Sequence, residues 1–180
     1  MNPVLQSIIS AAVGATAATK GWVLALEDAD LRVVAALGEG AGDLMGATVP
    51  SGSGTSGFVA SSGQPMALAP RGDDARMAEG VTALLSTRPT SILSVPCGND
   101  DVVGVLELVD KVGGGSFSFD DVEMATLLAG VAGAALQAPG GEVMARPPAE
   151  IGAELGRLAS ADPEAYARVA TVVDALLARG

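Results

Sequence analysis

The chain predicts an α+β fold, with a central antiparallel sheet of five to six strands flanked by helices. Three observations carry that expectation. First, the apolar, β-branched runs Ser91–Pro96 and Val102–Val109 flank the polar break Gly98-Asn99-Asp100-Asp101, which reads as a β-hairpin. Both runs are apolar on both faces, so they belong in the middle of a sheet. Second, Trp22–Glu27 and Leu31–Leu37 alternate with the acidic turn Asp28-Ala29-Asp30 as another hairpin. Third, residues with helical spacing stand before the first hairpin and after the second, so helices flank the strands rather than alternate with them.

Taken in order, the first element is a helix. Asn2-Pro3 is a cap and first-turn pair, and Leu5, Ile8, Ile9, Ala12 and Val13 repeat at helical spacing until about Ala18. The hairpin of residues 22–37 follows, then the glycine- and hydroxyl-rich stretch GATVPSGSGTSGFVASSGQPMAL. The central hairpin ends in Asp110-Lys111, a Gly-rich loop, Phe117, Phe119 and an acidic helix start at Asp120-Asp121. That helix runs to about Gln137 with Met124, Leu127, Leu128, Val131 and Ala135 as one stripe, and Ala132, Gly133, Ala134 and Leu136 leave most of its other side apolar too. Such a helix needs cover on two sides, one by the sheet and the other by a second copy or by the C-terminal segment.

Residues 138–148, with Ala138-Pro139-Gly140-Gly141 and Arg146-Pro147-Pro148, read as a linker after a domain spanning 1–137. Residues 149–180 form a helical hairpin. Ile151, Leu155 and Leu158 stripe its first helix, and Asp162-Pro163-Glu164 starts the second, striped by Tyr166, Val169, Ala170, Val173 and Leu177. The hairpin is too small to fold alone and is expected to dock on the domain or on a partner chain.

Composition excludes several functions. A net charge of -11, from 21 acidic and 10 basic residues, argues against nucleic-acid and anionic-membrane partners. The absence of histidine removes His-ligated zinc or haem and every Ser-His or Cys-His couple. Cys97 is the lone cysteine, so no intramolecular disulfide forms, and a cytoplasmic address is expected. No targeting signal or membrane span is read, and no catalytic residue, metal site or cofactor is assigned.

Several ordered motifs resemble the GAF family of small regulatory domains, which share a PAS-related sheet. They are Val49-Pro50; Gly52, Gly54 and Gly57; Gly63-Gln64-Pro65; Asp74, Arg76 and Met77; the strand Ser91–Pro96; and Lys111, Phe117 and Asp121. Together they cover roughly residues 4–137. The resemblance implies a helix starting in the glycine segment, a strand over Met66–Ala69 and a variable segment at residues 70–89 over a pocket. It also implies a structural ion pair between Lys111 and Asp121. Asp110 and Val122 depart from the Asn and Glu of the cyclic-nucleotide-binding signature, and with Arg76 the only basic candidate near the pocket a small organic metabolite ranks above a cyclic nucleotide, an empty pocket close behind both. The cysteines of the family's methionine-sulfoxide reductase branch are missing, so that catalysis does not carry over.

The resemblance implies a regulatory or sensory domain, not an enzyme, binding an unknown small molecule and signalling through a homodimer or a separate partner protein. The alternative is a module acting only in dimerisation or protein interaction. Thr55, Ser56, Phe58, Asp74, Arg76, Ser94 and Glu107 are the candidate ligand-binding residues, and Met66, Leu84, Ile92 and Leu106 the expected further pocket walls. The hydroxyls of Ser51, Ser53, Thr55 and Ser56 suit either a polar ligand at a helix start or simple capping. Arg76 suits either a ligand carboxylate or a solvated ion pair with a neighbouring Asp. The double apolar faces at Leu5–Val13 and Met124–Leu136 are the expected dimer interface, with Ile9 and Leu128 as its test positions.

Overall fold

The computed structural model describes residues 2–70, 79–98, 101–138 and 148–177, apart from the side chains of residues 175 and 176. Asp74, Arg76 and Met77, the turn residues Asn99 and Asp100, and most of the expected linker lie outside the described residues.

Helix α1 spans Pro3–Thr16 because Asn2 caps it, its Oδ1 accepting from the amides of Val4 and Leu5 at 2.9 and 3.4 Å. Ala17, at φ 52°, takes the left-handed conformation that ends the helix and feeds the chain straight into β1, Ala18–Glu27. The expected strand start at Trp22 is therefore four residues late, since Thr19 and Lys20 gave no apolar signal although Lys20 pairs with Val109. Strands β2 (Asp30–Leu37), β3 (Thr48–Pro50), β4 (Met66–Leu68), β5 (Ile92–Cys97) and β6 (Gly104–Lys111) complete a six-stranded antiparallel sheet ordered β3-β2-β1-β6-β5-β4. Both hairpins form as expected. The central pair, β1 beside β6, joins strands far apart in the chain (Ala18 opposite Lys111, Ala25 opposite Gly104) and unites the two hairpins.

The two faces of the sheet are occupied differently. On one lie α1 and α3 (Phe119–Gln137), drawn in where strand residues are small. A Cβ on Gly21 of β1 would meet Val13 of α1 at 3.3 Å, and one on Gly104 of β6 would meet Leu136 of α3 at 2.7 Å. The other face, presenting Trp22, Ser94 and Glu107, receives α2 (Gly54–Ser62) and the short helical turns Ala41–Leu44 and Val81–Leu84. Because successive strand residues alternate faces, Leu106 lies on the α1/α3 side and is not a wall of any pocket beside Glu107.

After residue 148 come α4 (Pro148–Ala161) and α5 (Pro163–Leu177). Helix α5 lies against α1 and α3, with Val172 packed on the core, and α4 packs on α5. The second apolar side of α3 is thus covered in part from within the chain. Ile9 and Leu128, expected on a dimer surface, are both buried in the core, 0% and 1% exposed. Aspartate at either position breaks the fold rather than an interface. The exposed large apolar residues of α3 are Phe119 at its start, 74% accessible, and Leu127 and Val131, 41% and 50% accessible.

The tightest helix-to-sheet approach gives a test. A Cβ on Gly133 of α3 would sit 2.4 Å from the amide nitrogen and 2.8 Å from the Cα of Gly98, both backbone. Gly133→Ala is expected to cost about 1–3 kcal/mol in urea denaturation. Gly152→Ala in α4, where nothing lies within 4 Å, is expected to be neutral or stabilising by up to ~1 kcal/mol.

Candidate functional site

The centre of the α2-facing side is a buried carboxylate. Glu107 is fully inaccessible and points from β6 between β1 and β5, where its cross-strand neighbours are Trp22 and Ser94. Its Oε2 accepts three hydroxyls: Ser94 at 2.5 Å, Thr55 at 2.7 Å and Ser56 at 3.0 Å. Its Oε1 accepts the Trp22 indole N–H at 3.1 Å. Four donors from three elements thus surround one anion, and among the described residues no cation pairs with it. Burying a carboxylate costs several kcal/mol unless its lone pairs are filled, and these hydroxyls and the indole fill them.

The glycine segment brings the hydroxyls there. Gly54 has φ 65°, and a Cβ on it would fall 2.7 Å from the Glu79 carbonyl oxygen. A Cβ on Gly57 would fall 2.6 Å from the Gly52 carbonyl carbon. Both contacts are with backbone, so only glycine lets the first turn of α2 sit this deep. Ser53 occupies the cap position without a side-chain hydrogen bond. Thr55 and Ser56 turn inward to the carboxylate, serving neither as caps nor as groups open to solvent.

Of the residues expected to bind ligand, the structure brings Thr55, Ser56, Ser94 and Glu107 together. Phe58, on the outer side of α2, is 50% exposed and lies apart from them. Asp74 and Arg76 lie outside the described residues. Ile92 and Met66 share the Glu107 face, and Leu84 is half-exposed. Sequence reasoning missed Trp22. Its signal was cross-strand position, readable only once β1 is known to pair with β6.

Beside this cluster, one step along β1, a cavity of about 350 Å³ opens on the same face. Lys20, Leu44, Ala47, Leu84, Leu85 and Ser86 line it, and the exposed acids Glu39 and Asp43 stand at it. Sequence reasoning passed over Lys20, Glu39 and Asp43 because each stands alone in a strand end or loop.

Lys111 joins β6 to both flanking helices. Its ammonium donates to the Asp121 carboxylate and to the Thr16 carbonyl at 3.1 Å, and lies 5.6 Å over the Phe117 ring. Asp121 also accepts from the Ser118 amide at 2.7 Å, and Ser118 Oγ accepts the Asp121 amide, a closed capping box. Asp110 precedes Lys111 at φ 57°, a conformation that Asn and Asp tolerate better than other side chains, and it accepts from Thr90. Burial alone pushes the Asp121 carboxyl pKa up, but Lys111 and the Ser118 donors outweigh it and hold the pKa below the usual value. Cys97, at the end of β5, is fully buried, which pushes its thiol up to about 12, far from a reactive thiolate.

The GAF domain family model matches residues 2–137. The chain belongs to the GAF domain family. Its fold is similar to the second GAF domain of DevS from Mycobacterium smegmatis, at 22% identity and a TM-score of 0.60, over 75% of this chain and 91% of that one. It is similar to the type II free methionine-R-sulfoxide reductase from Thermoplasma acidophilum, at 15% identity and a TM-score of 0.60, over 73% and 89%. The GAF domain of the Acinetobacter phosphoenolpyruvate-protein phosphotransferase is likewise similar, at 18% identity and a TM-score of 0.59, over 72% and 77%. Comparison with curated proteins gave no match. Among the described residues, no helix of this GAF protein is long and apolar enough to cross a membrane, and no cluster of three potential metal ligands occurs.

Two substitutions test the site's energetics. Glu107→Ala strands the Trp22 indole and three hydroxyls without their acceptor, and about 3 kcal/mol of stability is expected to be lost in urea denaturation. Phe58→Ala, at a half-exposed side chain, is expected to cost less than about 1 kcal/mol in the same assay. The Asp121 contribution carries a pH signature. Its folded pKa is depressed, so the stabilisation is present above the ordinary carboxyl value near pH 4 and is lost as pH falls through the folded pKa. The stability gap between wild type and Asp121→Asn is therefore expected to be constant from neutral pH down to about 5 and to close below it. A gap that widens on acidification contradicts this assignment.

Proposed function

We propose that this protein is a sensory GAF domain that binds a small metabolite over the Glu107 face of its sheet. The observation that carries the reading is the cavity of about 350 Å³ on that face, beside a hydrogen-bonded polar floor. The Glu107 network holds β1, β5, β6 and α2 in fixed relation, so a ligand entering beside it meets a preformed wall. The flanking helices α1, α3 and α5 are then the route by which occupancy reaches a second copy or a separate partner. We read the domain as non-catalytic, supported by a sequence without histidine and by the buried, protonated Cys97. The same unpaired cysteine supports a cytoplasmic setting.

A second reading, association without ligand, is favoured by one observation. Helix α4 buries none of its residues, and Ile151, Leu155 and Leu158 line an apolar groove of about 470 Å³ with Glu154, Arg157 and Ala161. Such a stripe suits a homodimer or another protein.

Thermal-shift screening against a metabolite library decides between them. A ligand at a hundredfold its Kd stabilises the fold by about 2.7 kcal/mol, a clear rise in midpoint. Silence across the library, together with a dimer by light scattering that Leu155→Asp dissociates, establishes association alone. A midpoint rise retained in Leu155→Asp establishes sensing.

A further inference from the structure

We propose that the cavity between the Ala41–Leu44 turn and residues 84–86 binds a small amphoteric molecule of amino-acid type, its carboxylate on Lys20 and its ammonium toward Asp43 and Glu39. This deepens the sensory reading and rests on it, by naming the chemical class that the cavity takes.

Lys20 is half-buried and lines the cavity, yet it makes no ion pair with a described residue. In a chain with 21 acidic and 10 basic residues, a cavity-lining lysine without a carboxylate partner among the described residues leaves its charge available to a ligand. At Gly38, φ 109°, a Cβ would fall 2.8 Å from Lys20 Cγ and 2.9 Å from its Cα, so the chain leaving β2 passes close to the base of the lysine. Glu39 and Asp43, at the same cavity, are exposed and likewise make no ion pair with a described residue. The remaining wall is mostly aliphatic, with Leu44 buried and Leu84 half-exposed, and Ser86 adds one hydroxyl.

One cation and two anions around an apolar wall select among ligands by charge. A phosphate or dicarboxylate would bring several negative charges toward two acids with one lysine to offset them. A simple amine would leave Lys20 facing a like charge, and a simple carboxylic acid would leave the two acids unmatched. A zwitterion with a short aliphatic body satisfies both ends and covers Leu44 and Leu84. The volume of about 350 Å³ is at the lower end of ligand pockets, which suits a molecule of that size rather than a dinucleotide.

Titration calorimetry on the full chain tests this with three matched probes: L-leucine, isocaproate (leucine without its amine) and isoamylamine (leucine without its carboxylate). L-valine, L-methionine and L-phenylalanine are run alongside to allow for the length of the aliphatic body. At least one of the four amino acids is expected to bind. Each truncated probe is expected to bind roughly tenfold or more weakly than leucine, as expected when a charged hydrogen-bond partner is lost. Lys20→Gln and Asp43→Asn are each expected to raise Kd by a similar factor, with circular dichroism unchanged, whereas Asp101→Asn, at an exposed acid in the β5–β6 turn, leaves it unaltered. Failure of all four amino acids to bind overturns the proposal, as does binding that both cavity variants leave unchanged. Isocaproate or isoamylamine binding as tightly as leucine also overturns it, while leaving the sensory reading intact. That reading falls separately, on silence across the wider metabolite library.

Discussion

One buried anion determines how this domain is put together. Glu107 sits at the middle of a sheet whose surroundings are otherwise aliphatic, and it can stay there because β1, β5 and α2 each donate to it. The constraint runs both ways. The carboxylate needs the hydroxyls of Thr55 and Ser56, so α2 must seat its first turn directly on the sheet. Seating it there needs glycine at positions 54 and 57, where a Cβ would strike backbone. A polar group in a core costs more when left unpaired than it contributes when paired, so this cluster favours a single arrangement of the elements around it.

The same strand that carries Glu107 onto the α2-facing side ends at Lys111, which ties the opposite layer together. Within five residues, β6 passes from the carboxylate under α2 to the ammonium that binds the end of α1 and the start of α3. Near its other end, Gly104 lies under Leu136 of α3. At the far side of that helix turn, Gly133 abuts Gly98, the residue that follows β5. A displacement of β6 is therefore felt at both ends of α3, and α5 lies on the outside of that layer. This is the physical connection between the two faces of the sheet.

The order of the elements was legible in the sequence. Strand runs bounded by Gly, Asn and Asp, the Asn2-Pro3 cap and the acidic start of α3 each specify structure through neighbours only a few residues away. The set of motifs from Val49-Pro50 to Asp121 was enough to indicate the family. Four candidate polar residues, Thr55, Ser56, Ser94 and Glu107, do meet. What was misjudged is what each side chain faces. Leu106 was placed in a pocket and faces the helices, and Ile9 and Leu128 were placed on a surface and are core. In each case the local pattern allowed two faces, and burial by a distant element chose between them.

Local sequence by itself determined which strands, turns and helices form and in what order, because hydrophobic period, capping and turn chemistry act over one or two turns of chain. Only the tertiary structure decided that Trp22 and Glu107 share a face, that the hydroxyls of α2 serve a carboxylate some 50 residues away, and that Lys20 stands with Glu39 and Asp43 at one cavity. Those relations follow from β1, ending at Glu27, pairing with β6, which begins only at Gly104. Two strands that are apolar on both faces carry no local mark of their partner. The register is settled when the whole sheet closes, by the need to give a single buried carboxylate its donors.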